Sequence, residues 1–214
     1  IGYYGTNASG NVFVINSTFS NNRIGIAPNS QKAEKLAPQR ETFVVGNRVI
    51  NNDNPQAPQV PDGAFGLGIA VGGGTKNDVL RNLVVGHDVA GISVITLGEF
   101  APENNRVEAN VTRDNKIDLA YSVGEDGKVR GNCFAKNKFA RSLPLNIETV
   151  LGCVGSASTI APVSLAPYKA PPAIDYKKIP APKNQTILTT RELKSLEAIP
   201  QFAVPDISEI SVPS

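Results

Sequence analysis

The chain has 214 residues, with 21 Lys and Arg against 19 Asp and Glu, a formal charge of +2 and a single histidine. So even a balance implies no polyanionic partner and excludes nucleic acid as an expected ligand. No apolar run reaches the ~18 residues of a membrane span, and the length suits one well-buried domain. Methionine is absent and the chain opens Ile1-Gly2-Tyr3-Tyr4, matching a strand pattern seen again at residues 24–27. The expectation is a processed or truncated product that begins inside a coil, without its signal peptide and earlier coils.

Residues 12–27 hold the first full copy of a pattern that then returns. A valine slot (Val14, Val44, Val79, Val107, Val129) is followed three residues later by Ser17, Asn47, Asn82, Asn110 and Asn132. Five residues beyond these stand Asn22, Asn52, His87, Asn115 and Asn137. The slots lie 30, 35, 28 and 22 residues apart, which marks a repeat with insertions of variable length. Apolar residues alternate at period two around the asparagines and are mostly Val, Ile, Phe and Thr, so the copies read as strands. Strands stacked in parallel on their own copies bury the same slot in each coil. An inward asparagine can then bond the backbone at its bend and the amides above and below it. This register predicts one ladder of Asn47, Asn82, Asn110 and Asn132, and a second containing Asn52, His87 and Asn115.

Insertions interrupt the copies at 28–41, 53–64 (rich in Pro, Asp and Gln) and 96–105, the last carrying Glu99 and Glu103. Cys133 falls one residue after an asparagine slot, where a side chain points outward, and with Cys153 it predicts a single disulfide. A loop of that size contributes roughly 3 kcal/mol in the chain-entropy account. After Cys153 the composition changes, and residues 154–214 hold nine of the sixteen prolines. This divides the chain into 1–153, the repeat, and 154–214, a Pro-rich strap with one helix near 190–199, where Thr189 and Glu192 form a capping box. Outward positions beside the valine slot (Phe13, Ile15, Phe43, Val45, Leu80) make an apolar patch that residues 160–205 are expected to cover. Sequons for N-glycosylation begin at Asn7, Asn16, Asn110 and Asn184, with Asn110 turned inward and unavailable.

The asparagine pattern resembles the right-handed parallel β-helix repeat proteins, the superfamily that includes pectate lyases, polygalacturonases and alginate epimerases. The resemblance covers roughly residues 1–150. It implies an all-β, right-handed parallel β-helix solenoid of about five to six coils, a scaffold that carries many activities. In such enzymes the site lies on the outer face of one strand stack, with paired aspartates as acid and base, or with several carboxylates holding Ca²⁺ beside an Arg or Lys. The corresponding outward positions here are read as Gly25, Ala27, Gly68, Ala70, Gly91, Ser93, Asp118, Ala120 and Ser122. Only Asp118 among them titrates, which argues against a catalytic floor.

His87-Asp88 is the obvious dipeptide for acid-base work, but the register turns His87 inward and leaves Asp88 outward in a turn. The candidate catalytic residues are Asp118, Asp88 and Glu99. The candidate binding residues are Asp53, Asp62 and Arg113, with Lys116 nearby. No cofactor and no metal site is expected, since Ca²⁺ has no clear ligand cluster. These readings lead to a secreted, extracellular, polysaccharide-associated protein, with catalysis left open. The alternative is a non-catalytic structural or assembly component that contacts another protein chain through its apolar face or its N-terminal coil.

Overall fold

A computed structural model describes residues 1–33, 35–58, 63–122, 124–155, 157–180 and 203–214. The fold grows from corners that recur five residues apart. At each corner one residue adopts left-handed backbone conformation and the next turns a polar side chain inward. Gly46, Arg81, Ala109 and Lys136, all at positive φ, precede Asn47, Asn82, Asn110 and Asn137. Asn51, Gly86 and Asp114 likewise precede Asn52, His87 and Asn115. Such a bend costs about 1–2 kcal/mol at each non-glycine position. What offsets it is the partner the bend provides: the backbone N–H of Asn47, Asn82 and Asn110 each donates to the Oδ1 of the asparagine one coil on, at 2.9, 2.8 and 2.9 Å.

Between corners lie short strands. After β1 (Tyr3–Thr6), the first circuit is β2 (Ser9–Ile15), β3 (Thr18–Ser20) and β4 (Ile24–Asn29). The next is β5 (Arg40–Val45), β6 (Arg48–Ile50) and β7 (Leu67–Gly72), followed by β8 (Asp78–Leu80), β9 (Leu83–Val85) and β10 (Ala90–Ile95). Then come β11 (Arg106–Glu108), β12 (Val111–Arg113) and β13 (Leu119–Ser122), and finally β14 (Cys133–Ala135) and β15 (Ser142–Leu143). Every third strand pairs in parallel, giving three sheets. Sheet A is β1-β4-β7-β10-β13-β15, sheet B is β2-β5-β8-β11-β14 and sheet C is β3-β6-β9-β12. Three parallel sheets with almost no helix are the arrangement of a parallel β-helix or solenoid.

Like residues stack on like. Val14, Val44, Val79, Val107 and Phe134 form one inward column, and Ile26, Ile69, Ile92 and Leu119 another. Burying each such side chain stabilises by about 1.5–3 kcal/mol. The C-terminal end of this core is closed by a single helical turn, α1 (Ile147–Val150), whose Ile147 is fully buried, and by the adjoining Leu151. Ile160 and Val163 pack there as well.

Three ladders run through the corners. One links Asn47, Asn82, Asn110 and Asn137 by Nδ2–H···Oδ1 bonds of 2.9–3.0 Å, and ends on Glu148, whose Oε1 accepts from the backbone and side chain of Asn137. Another links Asn77, Asn105 and Asn132, with Gln39 at its start. Asn132 therefore does not continue the column of Asn110, as the sequence predicts; Asn137 does. Val107 pairs with Phe134, not with Val129. Corners repeat every five residues, so a match displaced by one corner satisfies the same V-x-x-N pattern, and the short 22-residue spacing came from that displacement.

The glycines of the GIA stack also face inward rather than out. A Cβ on Gly25 would meet Val49 Cγ1 at 2.5 Å and Asn52 Nδ2 at 3.0 Å, and one on Gly68 would meet Val84 Cγ1 at 2.6 Å. Glycine is needed because the ladder amides fill that space. The disulfide joins Cys133 and Cys153 as predicted, with Cα atoms 4.8 Å apart and Cys133 beside the exposed Arg106 on the outer side of sheet B.

In the tail, the Ser158 and Ile160 main chains bond to Val129 and Gly127, Leu165 N–H donates to Ser122, and Ile174 bridges to Pro58. These contacts lie at the C-terminal end and on the sheet A side, and residues 181–202 of the expected strap lie outside the described residues. The apolar outer face of sheet A (Ile24, Ala27, Leu67, Ala70, Ala90, Ala120) gathers Leu165. Residues 207–210 dock at the corner between sheets B and C, where the Arg81 guanidinium donates to the Ile207 and Ile210 carbonyls. Val45 and Leu80, beside that corner, are buried, while Phe13, Ile15 and Phe43 are half-buried. The helix predicted at 190–199 lies outside the described residues.

Candidate functional site

The corner between sheets C and A carries the third ladder on its inner side. Asn22 donates its backbone and side-chain N–H to Asn52 Oδ1, at 3.2 and 2.9 Å. Asn52 Nδ2 lies 3.3 Å from His87 Nε2, and His87 Nδ1 lies 2.8 Å from Asn115 Oδ1. Asn115 Nδ2 then donates to Asp118 Oδ1 at 2.9 Å. His87 is thus inward and in register with Asn52 and Asn115, as its slot predicts. Asn52 Oδ1 is already occupied as an acceptor, so its NH₂ must face the ring, and Nε2 accepts while Nδ1–H donates. That is the neutral imidazole. Burial lowers the His87 pKa to about 4, against smaller opposing contributions from Asn115 and Asp88.

Asp118, a candidate catalytic residue, is 1% exposed. It occupies the inward slot that Gly91 fills one coil earlier. Its Oδ2 accepts the backbone N–H groups of Ala140 and Arg141 at 2.9 and 3.1 Å. With no further asparagine beyond Asn115, a carboxylate supplies the acceptors that end the ladder. Asp118 is therefore an internal cap, not an outer-face acid.

On the outer side, the residue after each ladder position turns away from the core at the same corner: Arg23, covered by neighbouring segments, then Asp53, Asp88 and Lys116 in successive coils. Asp53, Asp88 and Lys116 line a cleft of about 360 Å³, together with Pro55, Phe65, Val89, Tyr168, Lys169 and Pro171. An adjoining depression shares the two aspartates and Lys116 and adds Asp114 and Arg141. Burial, followed by the charge of Asp88, raises the Asp53 pKa from its ordinary value. Burial also raises that of the Tyr168 hydroxyl, against a backbone hydrogen bond at Phe65.

Arg23, first in the column, is 1% exposed and ties the cleft walls together. Its Nη2 donates to Pro171 O in the tail at 2.7 Å and its Nη1 to Pro55 O at 3.4 Å, while Cζ sits 4.9 Å from the Phe65 ring centre. Its Nε has no hydrogen-bond partner among the described residues. Two carbonyls and a ring face are the partners this buried guanidinium finds among the described residues.

The structure thus brings Asp53 and Asp88 together and separates the other candidates. Glu99 lies across sheet A, in an exposed ion pair of 2.9 Å with Lys32. Arg113 pairs with its neighbour Asp114 at 3.0 Å on the surface. Asp62 lies outside the described residues. Arg23, Phe65, Tyr168 and Lys169 were missed by sequence reasoning. The column position of Arg23 was readable from the slot after the asparagines, whereas Tyr168 and Lys169 arrive from the tail and carry no repeat signal. Among the described residues no group of three or more His, Cys, Asp or Glu is arranged to hold a metal ion, and no helix is long and apolar enough to cross a membrane. No protein-family model, curated protein or solved structure matches the chain.

Proposed function

We propose that the chain is a secreted, right-handed parallel β-helix of the pectate-lyase-like kind, with about five to six coils, and that its cleft between sheets C and A binds a glycan. The observation that carries this reading is the Asp53–Asp88 pair on adjacent coils, beside the Phe65 and Tyr168 rings. Sugars offer adjacent hydroxyls, which donate to carboxylates, and an apolar C–H face, which rests on aromatic rings. A cleft with a few convergent polar groups on an otherwise apolar wall is the usual form of such a site. Lys116 and Lys169 add donors for ring oxygens or a uronate carboxylate. The disulfide favours an oxidising, extracellular compartment.

Affinity electrophoresis through gels containing neutral or uronate polysaccharides tests the reading. Retardation by at least one polymer is expected, with loss in Asp53→Asn/Asp88→Asn and in Tyr168→Ala. Equal mobility of the wild type in every gel, or unchanged retardation of the variants, overturns it. New reducing ends or unsaturated products in the same mixtures identify turnover.

A second reading, a structural or assembly component, draws on the Phe13–Phe43 stack, whose rings are 4.8 Å apart and half-buried on the outer face of sheet B. A concentration-dependent oligomer lost in Phe43→Ser, with no glycan retardation, favours it.

A further inference from the structure

We propose that Asn16 is an acceptor for an N-linked glycan, and that Asn7 and Asn110, which head the same type of sequon, are not; this rests on the secreted reading above. In the transfer, the asparagine Nδ2 forms a bond to the anomeric carbon of a lipid-pyrophosphate-linked oligosaccharide. The bond from that carbon to the pyrophosphate oxygen breaks, the lipid pyrophosphate leaves, and one amide proton passes to a base of the transferase. The finished fold must then accommodate the sugar on that nitrogen, which requires the side-chain amide to be exposed and its N–H not to be committed within the fold.

Asn7 and Asn110 fail both conditions. Asn7 is 4% exposed, donates to Gln31 O at 2.7 Å and accepts from Gln31 N at 3.0 Å. Asn110 is fully buried, and its Nδ2 donates to Val79 O and Asn137 Oδ1, both at 2.9 Å. A sugar on Asn110 would remove ladder bonds, one on Asn7 would remove its bond to the Gln31 main chain, and either would drive a hydrophilic group into the interior.

Asn16 meets both. It forms the exposed corner between β2 and β3 at φ 46°, where its backbone N–H is held by Val45 O at 3.1 Å. Its side-chain amide makes no hydrogen bond among the described residues. The hydroxyl residue two positions on, Thr18, is exposed as well. The corner faces away from the cleft, which lies at the next corner of the circuit, so a glycan there leaves the cleft open. A separate observation, the Cys133–Cys153 disulfide, points to the oxidising compartment in which such transfer takes place.

The test is secretion of the full chain from a eukaryotic host, followed by intact mass and peptide mapping of each sequon after enzymatic release of N-glycans in ¹⁸O-water. Glycan on most copies at Asn16 is expected, with Asn7 and Asn110 bare. Asn16→Gln and Thr18→Ala should each remove it while leaving the melting temperature within a few degrees. Thr18→Ala decides the matter where Asn16→Gln fails to accumulate, because it keeps the corner asparagine. A secreted, disulfide-bonded chain bare at Asn16, whether or not Asn184 is occupied, overturns the proposal alone, as does a glycan on Asn7 or Asn110. A chain retained in the cell with two free thiols overturns the secreted reading and the proposal with it.

Discussion

Replacing His87 with asparagine should remove a pH dependence of stability that the wild type carries. In the fold the ring is neutral, donating from Nδ1 to Asn115 and accepting at Nε2 from Asn52. A second proton would set an N–H against the Asn52 NH₂, and Asn52 cannot turn over without losing both bonds from Asn22. Burial is the main cause of the lowered pKa, from 6.5 to about 4. An unfolded chain takes up the proton near 6.5, so between these values the unfolded state binds more protons than the folded one. Stability is then full above pH 6.5, declines as pH falls towards 4, and levels off below. At about 1.4 kcal/mol per tenfold change in proton affinity, the loss amounts to about 3 kcal/mol.

Asparagine in this slot rebuilds the ladder found in the neighbouring coils. At pH 7.5 it should cost no more than about 1 kcal/mol, the cavity left by a smaller side chain. Urea unfolding of both proteins at pH 7.5, 6, 5 and 4.5 gives the difference directly, with carboxylate contributions common to both. Because the chain has one histidine, its ring proton resonance reports the titration without assignment, and in the folded protein it should stay unshifted to near pH 5. Parallel stability losses in the two proteins, or a ring that titrates near 6.5 while folded, would refute the reasoning.

Four further outcomes follow from the same geometry. Asn82→Ala removes both acceptor contacts to Asn47 and the donors to Val44 O and Asn110, so denaturant unfolding should show a loss of about 3–5 kcal/mol. Asp118→Asn sets an NH₂ or a weaker acceptor against Ala140 and Arg141 N–H and should cost about 2–3 kcal/mol while leaving polysaccharide retardation unchanged; lost retardation in a folded variant would return Asp118 to the site. Reducing Cys133–Cys153 should lower stability by roughly 3 kcal/mol, read as a shift in denaturation midpoint, and two alkylatable thiols in the untreated protein would contradict the bond. Arg23→Gln weakens the tie to Pro171, and cleavage within 164–174 by limited proteolysis should rise roughly tenfold.

Most of the fold was legible because burial repeats. Val44, Val79 and Val107 occupy one slot in every circuit, and the asparagines mark corners that admit few alternatives. The same regularity misled at the end of the chain, where the five-residue corner spacing let Asn132 pass for the equivalent of Asn110. It also misled over facing. Period two predicts Gly25, Gly68 and Gly91 outward, but the Asn52, His87 and Asn115 side chains claim the space that a Cβ at these positions would fill. The cleft was half legible. Asp53 and Asp88 follow ladder positions and share a column by register alone. Their wall does not repeat: Phe65 arrives at the end of an insertion, and Tyr168 comes from a tail more than fifty residues further along the chain.

The ends of the ladders explain why carboxylates stand where the repeat would place asparagine or glycine. An asparagine in mid-column gives its N–H to one neighbour and its oxygen to the other, so each amide balances donors against acceptors. The last amide has a donor left over and no asparagine beyond it. Glu148 meets that need for Asn137, and Asp118 meets it for Asn115 while also accepting two backbone N–H groups. An ionised oxygen that accepts without donating is the group an unfinished donor row requires. A buried acid in this fold is therefore explained by its place at the end of a column. An acid in the slot after a ladder residue, as at Asp53 and Asp88, has no such duty to the fold, and that freedom is what marks the outer corner as the place to look for chemistry.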